Sequence, residues 1–387
     1  MKTSFWKITA IIVILAFSLR AYGLGSNSLW VDELFTLRGV RYGTLQDLVS
    51  WLYGEEYSDG VGFYIVEWFS FRVPFLPIEA SLRLAPMIFS IATVPFIGLI
   101  ARRFFDERVA YYSMLFFSVS ITQVYFAQEA RPYSGTVFFT TLSTYLWLNF
   151  IFSMEEDGGG KSRFAGYIIV TSLGCYFDFA MIMVVLAHLF SSPLFTGFNS
   201  PKMKWQAICT TAILILFSPG IYRFIGILEN RPNYMSQPSI YFFRDYQIMH
   251  YNSWELFFWV SIALYVFYFI RCLYLVEWER SVSDRISQFL PEIFFASWLI
   301  LPVFVLVFYS WLTEPAVNSK RVLFTSPASY ILLSRASLEL GKIIRKTDLV
   351  AVVLVSTLLS HSIYFSGYYS ESQKQPIREG VEYLHEN

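Results

Sequence analysis

Asp32 and Glu33 are adjacent acids lying shortly beyond the first membrane-length apolar stretch of the chain. Ionisable side chains beside a bilayer are costly, and a functional site is their default reading. A carboxylate so placed can act as a base, taking the proton of an attacking hydroxyl or amine. A second polar cluster, Gln128-Glu129-Ala130-Arg131-Pro132-Tyr133, separates two other apolar stretches. Proline suits a first helical turn, and the residue before it avoids helix. A helix should therefore begin near Pro132, with Arg131 at its N-terminus. Free N–H groups and the helix dipole favour an anion there, and an arginine can bind phosphate through two parallel hydrogen bonds. Glu129 sits within a few residues of that anion site. A third cluster, Asn318-Ser319-Lys320-Arg321 with Pro327 beyond it, adds adjacent cations that could meet phosphate oxygens or the carboxylates.

Each of these residues also has a plainer reading. Asp32 could be the N-cap of a short helix starting at Glu33, and Glu33 a first-turn acid favoured by the dipole. Neighbouring helical residues point about 100° apart, so the two acids should not face one reacting atom. Asp32 is taken as the reacting group and Glu33 as its support. Lys320 and Arg321 alone would be basic side chains snorkelling to the interface. Arg20 and Arg83 read the same way, as arginines at the ends of apolar runs. Tyr133 joins them as possible support, and Asp178 sits where a turn-forming role is equally natural.

The elements that must position these residues are membrane helices. Of the 387 residues, 55% are hydrophobic and only 15% charged, and aromatics reach 20%. A soluble chain would carry about 25% charged residues. With about 20 residues needed to cross the hydrocarbon, about eleven spans can be drawn: 7–24, 82–101, 109–127, 133–153, 163–178, 180–198, 206–228, 255–275, 292–312, 322–340 and 348–366. Lys2 and Lys7 before the first apolar run would suit a signal peptide. The run continues past Arg20 without a clean small-residue cleavage site, so an uncleaved first span is expected. Basic residues in short loops, such as Arg102-Arg103, Lys202 with Lys204, and Lys342, place the N-terminus inside. Segments 25–81, 128–132, 313–321 and the tail from 367 then lie outside. The first outer loop, 25–81, repeats Leu45, Leu48, Val49 and Leu52 at helical spacing, and residues 62–72 are apolar but too short to span. Both read as helices lying in the interface. The organisation is thus a bundle over 1–366 and a short outer tail over 367–387.

Composition also limits the partners. The formal net charge is +0, so nothing points to nucleic acid. The cysteines, Cys175, Cys209 and Cys272, lie in or beside apolar runs with no CxxC spacing, and buried structural roles are expected. The four histidines have no metal-ligand spacing. Three outer clusters therefore supply a carboxylate base, a second acid and phosphate-pairing cations around a site open to both the bilayer and outside water. That suits transfer of a group from a lipid-linked phosphate to an outside acceptor, the cations stabilising charge on the leaving phosphate.

These residues resemble a known family. The run from Leu19 to Glu33, with Trp30 before Asp32-Glu33, looks like the first-loop signature of bacterial GT-C glycosyltransferases, the protein-mannosyltransferase, ArnT and Rgt-like enzymes that use polyprenyl-phosphate sugars. Leu82-Arg83, the run Ala101 to Phe105 with Arg108, and the cluster Gln128 to Tyr133 follow the same pattern. Lys320-Arg321 with Pro327 is similar to a late segment of the family, and Gln375 to Tyr383 to its post-membrane stretch, with Ile377 in place of tryptophan. The resemblance implies an all-α GT-C bundle in a bacterial cell membrane, interfacial helices in the first outer loop, and a catalytic carboxylate matching Asp32. It also implies inversion at the sugar carbon and an extracytoplasmic active site. Family members often carry His-Pro-Pro before the second interfacial helix, where this chain reads Ser58-Asp59-Gly60. Many carry a histidine after the fifth span, where it reads Tyr176-Phe177-Asp178-Phe179.

The expected activity is transfer of one sugar from a polyprenyl-phosphate carrier to an extracytoplasmic glycan, lipid or protein. Asp32, Glu33 and Glu129 would form the acid set, and Arg131, Lys320 and Arg321 the donor-phosphate set. Two rivals share parts of this pattern: a transporter or flippase of lipid-linked sugars, and an O-antigen-ligase-like enzyme using diphosphate-linked glycans. The first would favour internal repeats and broken mid-membrane helices; the second does not obviously need the acid pair. Mg²⁺ or Mn²⁺ between Asp32 and phosphate is chemically reasonable, but arginines can supply that charge, so no metal or other cofactor is required.

Overall fold

The computed structural model describes residues 2–54, 60–153, 160–197, 200–229, 236–276, 284, 287–370 and 374. Among these the regular elements are all helical. Five helices are long and apolar enough to cross a membrane: α1 (Lys2–Ala21), α5 (Ile78–Phe104), α8 (Tyr133–Ser153), α14 (Glu255–Tyr274) and α15 (Leu290–Leu312). Two bent pairs raise the total to seven if each is one span. These are α6 (Glu107–Val119) with α7 (Ile121–Ala127), bent by 59°, and α11 (Pro201–Leu216) with α12 (Ser218–Glu229), bent by 60°. Three further apolar helices are shorter: Phe164–Phe177 within α9 (Gly160–Phe177), α10 (Met181–Thr196), and Leu349–Phe365, which begins as α17 (Leu349–Ser360). The chain is a multi-pass membrane protein.

The tally differs from about eleven uniform spans. The stretch read as 322–340 is α16 (Ser326–Ile343), whose serines, with Arg335 and Glu339, keep it outside the long apolar set. The stretches read as single spans at 109–127 and 206–228 are broken. At the first break, Ser120 leaves helical geometry with ψ 120°, and the polar groups freed there find distant partners. The Ile121 N–H donates to Asn252 Oδ1 at 2.7 Å, the Asn252 amide reaches Ser362 Oγ at 3.0 Å, and Tyr330 Oη donates to Ser120 Oγ at 2.9 Å. Inserted side chains are an established cause of sharp kinks. Here the kink redirects α7, whose C-terminus carries Gln128 and Glu129.

The first loop folds as expected into short helices: α2 (Val31–Val40), α3 (Leu45–Gly54) and α4 (Val61–Ser70). Leu48 and Leu52 from α3 and Phe63 and Tyr64 from α4 bury against Phe177 at the end of α9. Gly60 is where this packing is closest, since a Cβ there would lie 2.2 Å from the Phe177 carbonyl oxygen. Deeper in the bundle, Trp147 stacks on His188 at 4.7 Å. Cys175 and Cys209 are buried and Cys272 is half-buried, all as free thiols. The residues cited above as Ser58-Asp59 and Gln375 to Tyr383 lie outside the described residues.

Candidate active site

α2 begins two residues earlier than an Asp32 cap would require. Trp30 holds the extended N-cap position, and Val31, Asp32 and Glu33 form the first turn. The capping expectation for Asp32 is therefore replaced by one in which the Glu33 carboxylate accepts from the Trp30 N–H at 3.4 Å. Asp32 is left half-exposed, with no hydrogen-bond or ion-pair partner among the described residues. The pair divides as helical geometry requires.

Glu33 is fully buried and heavily bonded. Arg83 grips it from two nitrogens at 2.8 Å each, Lys374 Nζ lies 2.9 Å from Oε1, and the Ala130 N–H donates at 2.9 Å. Burial pushes its carboxyl up, but the Arg83 hydrogen bonds and the Lys374 charge outweigh this and hold it below the usual range. Arg83 spends its other donors on the carbonyls of Leu24, Asn27 and Ser28. It therefore fixes the chain leading into α2 and is not snorkelling. The same correction holds for Arg20. It is buried and bonds Ser90 Oγ at 2.8 Å and the Ser118 and Phe117 carbonyls at 3.0 and 3.2 Å. Those carbonyls end α6, where the kink strips them of helical partners.

The 128–132 turn is locked onto α2 through both ends of one residue. The Ala130 N–H goes to Glu33, and its carbonyl accepts from Thr36 Oγ1 at 2.9 Å. Gln128 is tied as firmly. Its amide donates to the Arg20 and Tyr22 carbonyls at 2.7 and 2.8 Å, and Tyr368 Oη donates to its Oε1 at 2.7 Å. Between these two anchored residues, Glu129 is fully buried, and neither of its oxygens is hydrogen-bonded among the described residues. Burial pushes its carboxyl up to about 7, against the pull of Lys320, Lys374 and Arg131 and with a further push from Glu33. A buried carboxylate without partners is poised either to hold a proton or to receive a donor from a ligand.

The cations close the site. Helix α8 begins at Tyr133, as Pro132 requires, with half-buried Arg131 just before it. The third cluster opens a short 3-10 helix, Ser319–Thr325, that leads into α16 and is capped by Asn318 Oδ1 on the Arg321 N–H at 3.0 Å. Lys320 points inward, its Nζ 4.5 Å from the Trp30 ring and 6.0 Å from that of Tyr133. Arg321 is exposed. The indole N–H of Trp30 is buried and has no partner among the described residues. Asp178 accepts from Thr136 Oγ1 at 2.8 Å and from the Ala180 N–H at 2.9 Å, so it joins α8 to the start of α10. Among the described residues no three His, Cys, Asp or Glu side chains gather as a metal site.

Two site residues escape the sequence reading. Glu67 of α4 is a second fully buried acid, with neither oxygen bonded among the described residues, held well above the ordinary carboxyl range by burial and by Glu33. It stands in an apolar run that reads only as a helix face. Lys374 comes from beyond the last helix, where no periodicity marks its return.

Comparison with known proteins follows this geometry. Residues 65–222 match the model of the dolichyl-phosphate-mannose-protein mannosyltransferase family. None of the curated proteins compared matches the chain. Among solved structures, the oligosaccharyltransferase of Archaeoglobus fulgidus with Zn and sulfate superposes with a TM-score of 0.62 at 11% identity, covering 98% of this chain and 55% of that one. The same organism's AglB, with an inhibitory peptide and a dolichol-phosphate, gives 0.59 at 11% identity, covering 100% and 58%. ArnT of Cupriavidus metallidurans, bound to undecaprenyl phosphate, gives 0.54 at 12% identity, covering 94% and 69%. The chain thus spans little more than half the length of the oligosaccharyltransferase it matches. The shared architecture and the family match over its centre make this a multi-pass membrane protein with the fold of the GT-C glycosyltransferases.

Proposed function

We propose that the chain transfers one sugar from a polyprenyl-phosphate donor to an extracytoplasmic glycan, lipid or protein, inverting the anomeric carbon. The observation that carries this reading is the division of labour at one end of the bundle. Asp32 is a half-exposed carboxylate with no partner among the described residues, two residues after Trp30; Lys320 lies over the Trp30 and Tyr133 rings, and Arg131 stands two residues before Tyr133. In the reaction, Asp32 takes the proton of the acceptor hydroxyl or amine as that atom bonds to the sugar carbon. The bond from that carbon to the phosphate oxygen breaks, and the electron pair leaves on the phosphate, where Lys320 and Arg131 stabilise the new charge. One displacement with base and leaving group on opposite faces of the sugar inverts the carbon. Glu33 holds α2 in register, and Glu129 orients the acceptor or the base.

The neighbours supply the donor class: ArnT is bound to undecaprenyl phosphate and AglB to a dolichol-phosphate. Basic residues in the short loops support an outward-facing site. The test is turnover in proteoliposomes given a polyprenyl-phosphate sugar and a panel of glycan, lipid and peptide acceptors. Free polyprenyl phosphate and a glycosylated product of opposite anomeric configuration should appear together. Movement of the intact donor across the bilayer without bond cleavage would overturn the reading.

A further inference from the structure

The chain beyond the last helix returns to the site in three successive ties. A single π-helical turn, His361–Phe365, ends the helix, and Gly367 reverses the chain with φ +64°. Tyr369 Oη then donates to the Leu19 carbonyl at 3.1 Å, Tyr368 Oη to Gln128 Oε1, and Lys374 Nζ to the Gln128 carbonyl at 2.8 Å and to Glu33 at 2.9 Å. The Lys374 side chain is 4% exposed. A buried ammonium is costly unless its charge is used. Arg83 already holds Glu33 through two hydrogen bonds, so within the Arg83–Glu33–Lys374 group two cations share one carboxylate. Glu129 is the neighbouring carboxylate with no partner of its own. The charged and titratable groups around it are Lys320 of the 3-10 turn, Arg131 of its own turn, Glu33 of α2, Tyr125 of α7, and Tyr368 and Lys374 of the returning segment.

We propose that Lys374 is a positioning residue for the transfer reaction. It fastens the returning segment to the Glu33–Gln128 pair and supplies part of the positive charge that faces Glu129. The proposal rests on the glycosyl-transfer reading for its consequence, though not for its measurement. Removing the ammonium should make Glu129 harder to ionise, and an arginine in its place should preserve the charge.

The test is an infrared titration of the full-length protein, following the protonated carboxyl band that disappears in Glu129→Gln. Lys374→Met should move the midpoint of that band upward by about one pH unit, and Lys374→Arg should return it close to wild type. The acid side of the pH–rate profile should move with the band, and in a Glu129→Gln background Lys374→Met should move it no further. Tyr368→Phe loosens the segment without removing charge and should give a smaller shift in the same direction. It serves as the reading if Lys374→Met fails to fold. An unmoved band in Lys374→Met, or in Tyr368→Phe where that variant stands in, would overturn the proposal. So would an equal shift of the pH–rate profile in the Glu129→Gln background. Absence of transfer by wild type at every pH would overturn the functional reading alone, since the infrared shift is read without activity.

Discussion

Glu129 is the residue whose chemistry depends most on its surroundings. Its carboxyl is pushed up from an ordinary 4.5 to about 7 by burial. A carboxyl that holds its proton more tightly when folded adds stability that is complete below its unfolded value and is lost as pH rises through the folded one. Wild type should therefore lose about 2–3 kcal/mol from this group between pH 4.5 and 7. Glu129→Gln should lack that decline in thermal melts across this range, and a parallel decline in both proteins would contradict the assignment. At this scale the sequence was informative about which residues mattered and less so about how they are used. Gln128 to Tyr133 and Asn318 to Arg321 stand out as polar text between apolar runs. Arg20 and Arg83 do not separate from snorkelling side chains by sequence, because the carbonyls they bind belong to loop and helix ends far along the chain.

At the scale of elements, position is set by helix ends. The acid of α2 that faces inward does no visible chemistry in the ground state. It joins α2, α5, the 128–132 turn and the returning segment through one carboxylate. Without Arg83, Glu33 would keep Lys374 as a cation but lose two charge-assisted hydrogen bonds, and the Leu24, Asn27 and Ser28 carbonyls would lose their donors, at a cost of about 3–5 kcal/mol. Arg83→Met should thus lower stability by that amount and reduce transfer as a consequence. A variant with wild-type melting would show that Arg83 does not organise the first loop. That α3 and α4 are helices was legible from the spacing of Leu45, Leu48 and Leu52 and from the short apolar run at 62–72. The break at Ser120 was not. No proline marks it, and it is stabilised by Asn252 and Tyr330, which only the folded bundle brings near.

For the whole molecule, composition and apolar runs were enough to indicate an all-helical membrane bundle. Three acid or basic clusters far apart in sequence do meet at one end of it. The helix tally was less legible, because bent and shortened helices dilute the length signal. In the proposed reaction Lys320 and Arg131 would supply the positive charge that a divalent ion would otherwise bring to phosphate. Transfer by the reconstituted protein should therefore survive EDTA, and loss restored by Mg²⁺ or Mn²⁺ would show that a metal shares that task. The most direct measurement is single-turnover transfer from a labelled polyprenyl-phosphate sugar by wild type and Asp32→Asn, with melting curves for both. The substitution should slow transfer by roughly a hundred- to ten-thousand-fold and leave the melting transition unchanged, because Asp32 has no hydrogen-bond or ion-pair partner among the described residues. Turnover by Asp32→Asn close to that of wild type would contradict the assignment of Asp32 as the base.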